Sequence, residues 1–256
     1  MINLKEKLKK NEVTIGSWIT IGHPAVAEII SKAGFDWLTI DMEHSSITLS
    51  EAQQLIQIIE LCGIPPLVRV GENNPNLIKR VMDAGAHGVI VPMVNTRDDA
   101  VKAVNAVKYP PSGMRGVGLS RAQGYGLSFE RYRDWVNKKS VVVVQVEHIK
   151  AVENLKDILS VEGVDAFIVG PYDLSGSLGI PGDFENPRMT AALKEILRVS
   201  AELKMNAGYH VVPPDVKMAR QKIKEGYTFI AYSVDFLFLG TMCREGLSSI
   251  RDFLKK

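Results

Sequence analysis

Eight short apolar segments alternate with longer amphipathic segments along the whole chain, and this alternation constrains the fold more than any other feature. Val141–Val144 and Val89–Val91 are uninterrupted apolar runs, which is typical of parallel strands buried on both faces. The predicted strands are Val13–Ile21, Trp37–Met42, Pro66–Val70, Val89–Met93, Val141–Val146, Ala166–Val169, Asn206–His210 and Phe229–Ser233.

Helical spacing of apolar residues fills the stretches between these strands. The starts of three of these helices are marked by Ser50 before Glu51, by Pro75 after two asparagines and by Pro214. Glycines follow several helices, where a left-handed residue is commonly needed. The predicted helices are Pro24–Lys32, Leu49–Leu61, Pro75–Ala84, Arg97–Val107, Phe129–Asn137, Ala151–Leu159, Pro187–Leu203, Pro214–Glu225 and Met242–Leu254.

Strand followed by helix, eight times with short connections, predicts an α/β fold: a closed (β/α)8 TIM barrel forming a single domain over residues 1–256. An open doubly wound sheet is the alternative. The alternation alone does not exclude it, but no GxGxxG motif follows the first strand.

Composition excludes several classes of function. The net charge is +2 and basic residues are dispersed among acidic ones, so neither a nucleic-acid partner nor a membrane surface is expected. No run of about 18 apolar residues is present to span a membrane, and no signal peptide is expected at the N-terminus. Cys62 and Cys243 are predicted to be reduced core thiols, which favours a cytoplasmic location.

One connection is much longer than the others. Residues Tyr109–Ser140 carry Arg115 and Arg121 among glycines, and long connections inside compact domains are usually functional or disordered. We expect this segment to extend from the catalytic face beyond the fourth strand and to cover the substrate.

Polar residues gather where the predicted strands end, which is the catalytic face of a barrel. Taken singly, each has an ordinary interpretation: Asp41 as a turn cap, Arg69 as half of a surface ion pair, His44 as an exposed histidine. Together they favour a functional site, since a barrel without a function needs no buried charge there. Glu147 and Asp173 require a positive partner, either Arg69 or a hard metal ion such as Mg²⁺ or Mn²⁺.

At these positions the chain resembles the HpcH/HpaI family, the class II pyruvate aldolases that are grouped with the citrate lyase β-subunit superfamily. The similarity extends from about Gly16 to Leu239. It rests on six segments in the same order and spacing: Gly34–His44, Val68–Arg69, Asp83–Met93, Arg115–Gly118, Gln145–Glu147 and Gly170–Gly179.

The resemblance implies an oligomeric barrel, a trimer or hexamer, that cleaves a 4-hydroxy-2-ketoacid to pyruvate and an aldehyde. A divalent cation (Mg²⁺, Mn²⁺ or Co²⁺) would be bound by Glu147 and Asp173. Arg69 would stabilise the enolate, and His44 would be the general base, strengthened by Asp83. The pyruvate end and the substrate as a whole would be held by Gln145, Gly170, Pro171, Tyr172, Asp173 and Arg121.

Two features depart from a simple transfer of the family pattern. Tyr172 stands where many relatives have a small residue, which bears on the pyruvate side of the site and the preferred donor. The Ser120–Gly126 loop differs from the versions in the dicarboxylate and sugar-acid aldolases, so the aldehyde is left open. His148, next to Glu147, points to the opposite side of its strand, which favours a core or helix-start role over metal ligation.

Two other functions are alternatives to the aldolase. A citryl-CoA-type or phosphoenolpyruvate-handling lyase should carry basic residues after strands seven and eight, and those exits have none. A catalytically silent ligand-binding barrel should have lost Arg69, His44 or a carboxylate, and all are present.

Overall fold

The computed structural model describes residues 2–255, in which eight parallel strands close into a barrel in chain order. The (β/α)8 prediction is therefore confirmed, and the open sheet is excluded. The strands are β1 (Thr14–Ile19), β2 (Trp37–Asp41), β3 (Pro66–Arg69), β4 (Gly88–Val91), β5 (Val141–Val146), β6 (Ala166–Val169), β7 (Asn206–Val211) and β8 (Phe229–Val234).

Helices surround the barrel and return the chain from the end of one strand to the start of the next. They are α1 (Leu4–Lys9), α2 (Pro24–Ser31), α3 (Leu49–Leu61), α4 (Pro75–Ala84), α5 (Arg97–Val107), α6 (Phe129–Lys139), α7 (Ile149–Glu153), α8 (Leu155–Leu159), α9 (Pro171–Ser177), α10 (Pro187–Leu203), α11 (Val216–Glu225) and α12 (Asp235–Leu254).

Helix boundaries differ from the sequence prediction in three places. The helix predicted over residues 151–159 is two short helices, and α9 was not predicted. Helix α12 begins at Asp235, directly after β8 and seven residues earlier than expected, and the Asp235 carboxylate accepts hydrogen bonds from the backbone of Thr20 and Ile21.

Alternate strand residues point into the barrel and outward to the helices. The floor of the interior is filled by Trp37 and Phe229, whose fully buried rings stack with centroids 4.2 Å apart. Gly16 makes this possible, since a Cβ there would lie 2.0 Å from the Trp37 ring. Large side chains therefore close the lower barrel, and only its C-terminal end is open to ligands.

Within one chain, the Tyr109–Ser140 segment does not extend from the catalytic face as expected. Helix α5 lies between β4 and this segment and runs back to the N-terminal end of the barrel, so the segment begins at the face opposite the strand exits. Its arginines hold it there: Arg115 pairs with Asp83 at 2.5 Å, and Arg121 pairs with Glu60 at 2.5 Å.

In the described chain no helix is long and apolar enough to cross a membrane. The two cysteines are unpaired, as predicted, but neither is a core residue: Cys62 is half-buried and Cys243 is exposed.

Candidate active site

The open end of the barrel is lined by the last inward-facing residue of several strands. Trp18 lies one residue before the end of β1, and Asp41 and Arg69 end β2 and β3. Gln145 lies near the end of β5, and Glu147 directly follows that strand. Val146, between the last two, belongs to the outer core, so Gln145 and Glu147 both face inward. The polar residues predicted at the strand exits thus converge on one mouth.

Arg69 is held rigidly in this mouth. Its Nε donates to Asp41 at 2.9 Å and its Nη2 at 2.6 Å, while Nη1 lies 3.2 Å from a Glu43 oxygen. The guanidinium also lies over the Trp18 ring, 4.4 Å from the ring centroid. Burial alone would raise the pKa of Asp41, but the hydrogen bonds and charge of Arg69 outweigh it and lower that pKa. Asp41 is therefore an anion that orients the guanidinium fork.

Glu147 is a buried carboxylate without a cationic partner. Its side chain accepts hydrogen bonds from the Met93 amide at 2.7 Å and from the Gln145 amide. Burial, together with the nearby charges of Glu43 and Asp173, outweighs those two hydrogen bonds and raises the pKa of Glu147 to about 7. Three carboxylates thus lie near one another, and no side chain among residues 2–255 forms an ion pair with Glu147.

Helix α9 places Asp173 beside Glu147. Pro171 fixes the first turn, and the amides of Tyr172 and Asp173 there have no intrahelical acceptor. A cavity of about 630 Å³ lies between these groups and is lined by Met93, Glu147, His148, Tyr172, Asp173 and Pro181, among others. Because Pro171 has no N–H and the Gly170 amide bonds Val146, only the later two amides are free to bind a ligand.

These groups fit a divalent cation. Across residues 2–255 no three Asp, Glu, His or Cys side chains enclose a metal position by themselves. The oxygen Gln145 Oε1 is nevertheless buried without a hydrogen-bond partner, whereas Glu43 Oε2 lies beside the Arg69 guanidinium. Oxygen donors and two facing carboxylates, with further positions open, suit a hard ion that keeps water or substrate among its ligands.

His44 stands at the edge of the mouth. Its side chain is 67% exposed, and its Nε2 lies 3.9 Å from Glu43. The His44 amide donates to Asp41 at 3.2 Å, so the carboxylate that orients Arg69 also fixes this turn. His148 begins α7, where its Nδ1 accepts from the Lys150 amide at 3.1 Å, which confirms the helix-start interpretation.

Asp83 and Arg121 are not brought to this mouth within one chain. Asp83 lies in the last turn of α4, and helices of the barrel end at the N-terminal face, opposite His44. There it pairs with Arg115, while Arg121 bonds the Ala84 carbonyl at 3.0 Å and Glu60. The predicted contact between Asp83 and His44 is thus not made in a single chain, and Arg121 does not contact the site.

Three residues of the mouth were given no role from the sequence. Glu43 lies between two residues that were singled out, and its position two residues beyond Asp41 was the available signal. Trp18 and His210 read as ordinary strand residues. Their inward direction depends on strand register, and a shift of one residue would reverse it.

The fold and this site define a (β/α)8 barrel enzyme with an acidic, arginine-containing mouth at the strand exits. The model of the HpcH/HpaI aldolase/citrate lyase family matches residues 14–239, so the chain belongs to this family.

Known proteins that are similar to this chain in sequence or in structure support the family assignment. A 2-keto-3-deoxy-L-rhamnonate aldolase of Escherichia coli O157:H7 is 40% identical over 233 residues, which cover 90% of this chain and 86% of the relative. A HpcH/HpaI aldolase/citrate lyase family protein from Burkholderia cenocepacia J2315 superposes with a TM-score of 0.93 at 34% identity, covering 98% of this chain and 100% of the other.

A HpcH/HpaI aldolase from Desulfitobacterium hafniense DCB-2 superposes with a TM-score of 0.90 at 30% identity, covering 98% and 97% of the two chains. The chain is accordingly a carbon–carbon lyase of the aldolase type.

Proposed function

We propose that the protein reversibly cleaves a 4-hydroxy-2-ketoacid to pyruvate and an aldehyde with the help of a divalent cation at Glu147 and Asp173. The observation that carries this proposal is Glu147 itself, which is 4% exposed, faces other carboxylates and has no cationic partner. A buried carboxylate in such surroundings is costly unless a cation neutralises it.

Glu147 and Asp173 would hold Mg²⁺, Mn²⁺ or Co²⁺. When bound, the ion supplies a Lewis acid for the keto and carboxylate oxygens of the substrate. Around it, Gln145 and the amides of Tyr172 and Asp173 bind the pyruvate end, while Gly170 and Pro171 shape the wall. A Cβ on Gly170 would lie 3.2 Å from both Gln145 and Glu147, so glycine leaves them their positions.

Arg69 stabilises the charge that develops on the enolate oxygen. Two of its nitrogens bond Asp41, so the guanidinium is oriented before substrate arrives and needs no reorganisation during reaction. Lys has no planar fork and would not make the same two bonds. No Schiff-base lysine is required, since a bound cation and Arg69 would stabilise the negative charge on the enolate oxygen that receives the electrons of the breaking bond.

His44 is the proposed base that takes the proton from the C4 hydroxyl. In one chain its nearest carboxylate is Glu43, at 3.9 Å, and not Asp83. The cleavage then consists of three steps: the C4 hydroxyl loses its proton, the C3–C4 bond breaks to release the aldehyde, and the resulting enolate is protonated to pyruvate.

The similarity to 2-keto-3-deoxy-L-rhamnonate aldolases supports a sugar-acid-type ketoacid as the substrate class. The test is pyruvate release from a panel of 4-hydroxy-2-ketoacids, before and after EDTA treatment and after adding back Mg²⁺, Mn²⁺ or Co²⁺. We expect activity to be lost with the metal and restored by it. Full activity in verified metal-free protein, or borohydride trapping of pyruvate on a lysine, would contradict the proposal.

Direct measurement of metal binding tests the proposed metal site independently of catalytic activity. Mn²⁺ binding followed by electron paramagnetic resonance should be lost in Glu147→Gln and Asp173→Asn. It should be unchanged in Asp134→Asn, an exposed acid on α6 that does not line this cavity. Equal Mn²⁺ affinity in all four proteins would place the metal elsewhere.

We also propose that the protein assembles as a homo-oligomer in the cytoplasm, a trimer or a hexamer. Of the twenty residues of α12 only Asp235 is buried, and the helix exposes large apolar side chains: Phe236, Leu239, Met242, Leu247, Ile250, Phe253 and Leu254. An apolar face of this kind is usually covered by another molecule. Sedimentation of the protein and of Leu239→Glu/Met242→Glu tests this; a monomeric parent would contradict it.

A further inference from the structure

His210 lies on β7 with its side chain directed into the mouth of the barrel. Its neighbours Tyr209 and Val211 pack in the outer core, so the alternation of the strand turns His210 inward. There it joins the top layer of interior residues: its ring centroid lies 5.3 Å from that of Trp18, and the Arg69 guanidinium lies 4.4 Å from the Trp18 ring centroid. His210 thus stands among the residues of the site described above.

The Nε2 atom of His210 is buried and has no hydrogen-bond partner. The other ring nitrogen faces the backbone of Ser233, whose hydrogen bond raises the pKa of the histidine and therefore comes from a carbonyl acceptor. Burial and the charge of Arg69 outweigh this and lower the pKa to about 3, so the ring is neutral. With its proton on the nitrogen that faces Ser233, the ring presents Nε2 as an acceptor.

A second unpartnered group stands beside this acceptor. The indole Nε1 of Trp18 is buried, and it can only donate. One acceptor and one donor, both unmatched within the chain, lie on neighbouring rings. A hydroxyl group can donate to the first and accept from the second, whereas a carboxylate has no proton for His210.

The position of this pair relates it to one end of the substrate. In the closed ring of strands, β5 and β6 carry the metal-binding side, and β1 lies across the barrel from them. A ketoacid whose keto end is bound at Glu147 and Asp173 extends its remaining carbons across the mouth. Trp18 lies at that far side, and His210 approaches it from β7, with the two ring centroids 5.3 Å apart.

We propose that His210, together with Trp18, selects a substrate that carries a hydroxyl group on the aldehyde-derived carbon next to C4. This specificity role rests on the proposed aldolase function. His210 accepts the hydrogen bond of that hydroxyl, and the Trp18 indole donates to its oxygen. An acceptor aldehyde without the hydroxyl leaves both buried groups unpaired, which disfavours it.

The test compares two acceptors that differ by one hydroxyl group, glycolaldehyde and acetaldehyde, in addition to pyruvate by the metal-loaded protein. The measured quantity is the ratio of their kcat/KM values, expressed for the free aldehyde. We expect His210→Leu to lower this ratio by about 10-fold or more, since an unpaired hydroxyl is then buried against an apolar side chain. His210→Gln, which keeps an acceptor oxygen, should retain more of the preference than Leu.

His87→Leu is the matched control, because His87 lies at the opposite end of the barrel beside Glu60, and it should leave the ratio unchanged. Circular dichroism verifies that each variant is folded. An unchanged ratio in folded His210→Leu overturns the inference. An equal loss of kcat/KM with both aldehydes also overturns it, because such a loss indicates that His210 positions any substrate or contacts the C4 oxygen that both products share. If the parent adds pyruvate to neither aldehyde while metal and protein are intact, the proposed aldolase function fails first.

Discussion

The ion pair of Arg69 with Asp41 makes a prediction about stability as well as activity. Asp41 is 2% exposed, and the Arg69 side chain is 12% exposed. Replacing Arg69 by Met removes two hydrogen bonds, at 2.9 and 2.6 Å, and leaves a buried carboxylate without its cation. Breaking a buried pair in this way typically costs about 3–5 kcal/mol.

The local geometry reduces that figure. Asp41 keeps two backbone donors, the amides of Glu43 at 3.0 Å and His44 at 3.2 Å, and these continue to stabilise the carboxylate. We therefore expect Arg69→Met to lower the free energy of unfolding by about 2–3 kcal/mol. Adding Asp41→Asn to this variant removes the stranded charge and should restore about 1–2 kcal/mol of the loss.

Urea unfolding followed by far-ultraviolet circular dichroism measures these differences, at one protein concentration because assembly would shift the apparent stability. Arg198→Met is the control: Arg198 makes ion pairs only at the surface, and its loss should stay within experimental error. If the two single changes add in the double variant, or if Arg69→Met unfolds as the parent does, the reasoning about the buried pair is wrong. Both Arg69→Met and Arg69→Lys should lower kcat at least about 10²-fold.

Three further predictions follow from particular contacts. His44→Ala should lower kcat at least about 10²-fold while Mn²⁺ affinity stays the same; near-normal cleavage would require another base. Gly170→Ala should lower kcat/KM about 10-fold or more by displacing Gln145 and Glu147, whereas Gly116→Ala, with open space around it, should not. Burial lowers the pKa of Lys108 to about 7, well below its unfolded value, so stability due to this group is lost as pH falls toward 7. Relative to Lys108→Met, the parent should gain up to about 1.4 kcal/mol per pH unit between about pH 7.5 and 9.5 in urea unfolding; a constant difference would contradict this.

The sequence predicted much of the site because strand exits are local features. A continuous apolar run marks a buried parallel strand, and the residue where the run stops lies at the catalytic rim of a barrel. Arg69, Glu147 and Asp173 were located by this argument alone, and the structure gathers them around one mouth. The metal-binding and catalytic roles themselves came from the family resemblance and remain predictions.

The position of the Tyr109–Ser140 segment could not be read so directly. Its length and glycines suggested a substrate cover, but α5 returns the chain to the opposite face before the segment begins. Asp83 is held at that face by an ion pair with Arg115, which lies 32 positions later in the sequence. Arg121 is held there by an ion pair with Glu60, which lies 61 positions earlier. Such pairing depends on which surfaces meet after folding, and no local pattern encodes it.

The sequence by itself determined the barrel, its open end and the charged residues there, since these follow from continuous apolar runs in the strands and a period of 3.6 residues in the helices. Only the tertiary structure decided that Asp41 orients Arg69, that Glu147 is buried without a cation, and that His210 and Trp18 present unmatched polar atoms. The physical reason is that burial and hydrogen bonding are set by neighbours from other strands. The type of a residue determines which groups it can bind, and its neighbours in the fold determine which of its polar atoms remain unpaired.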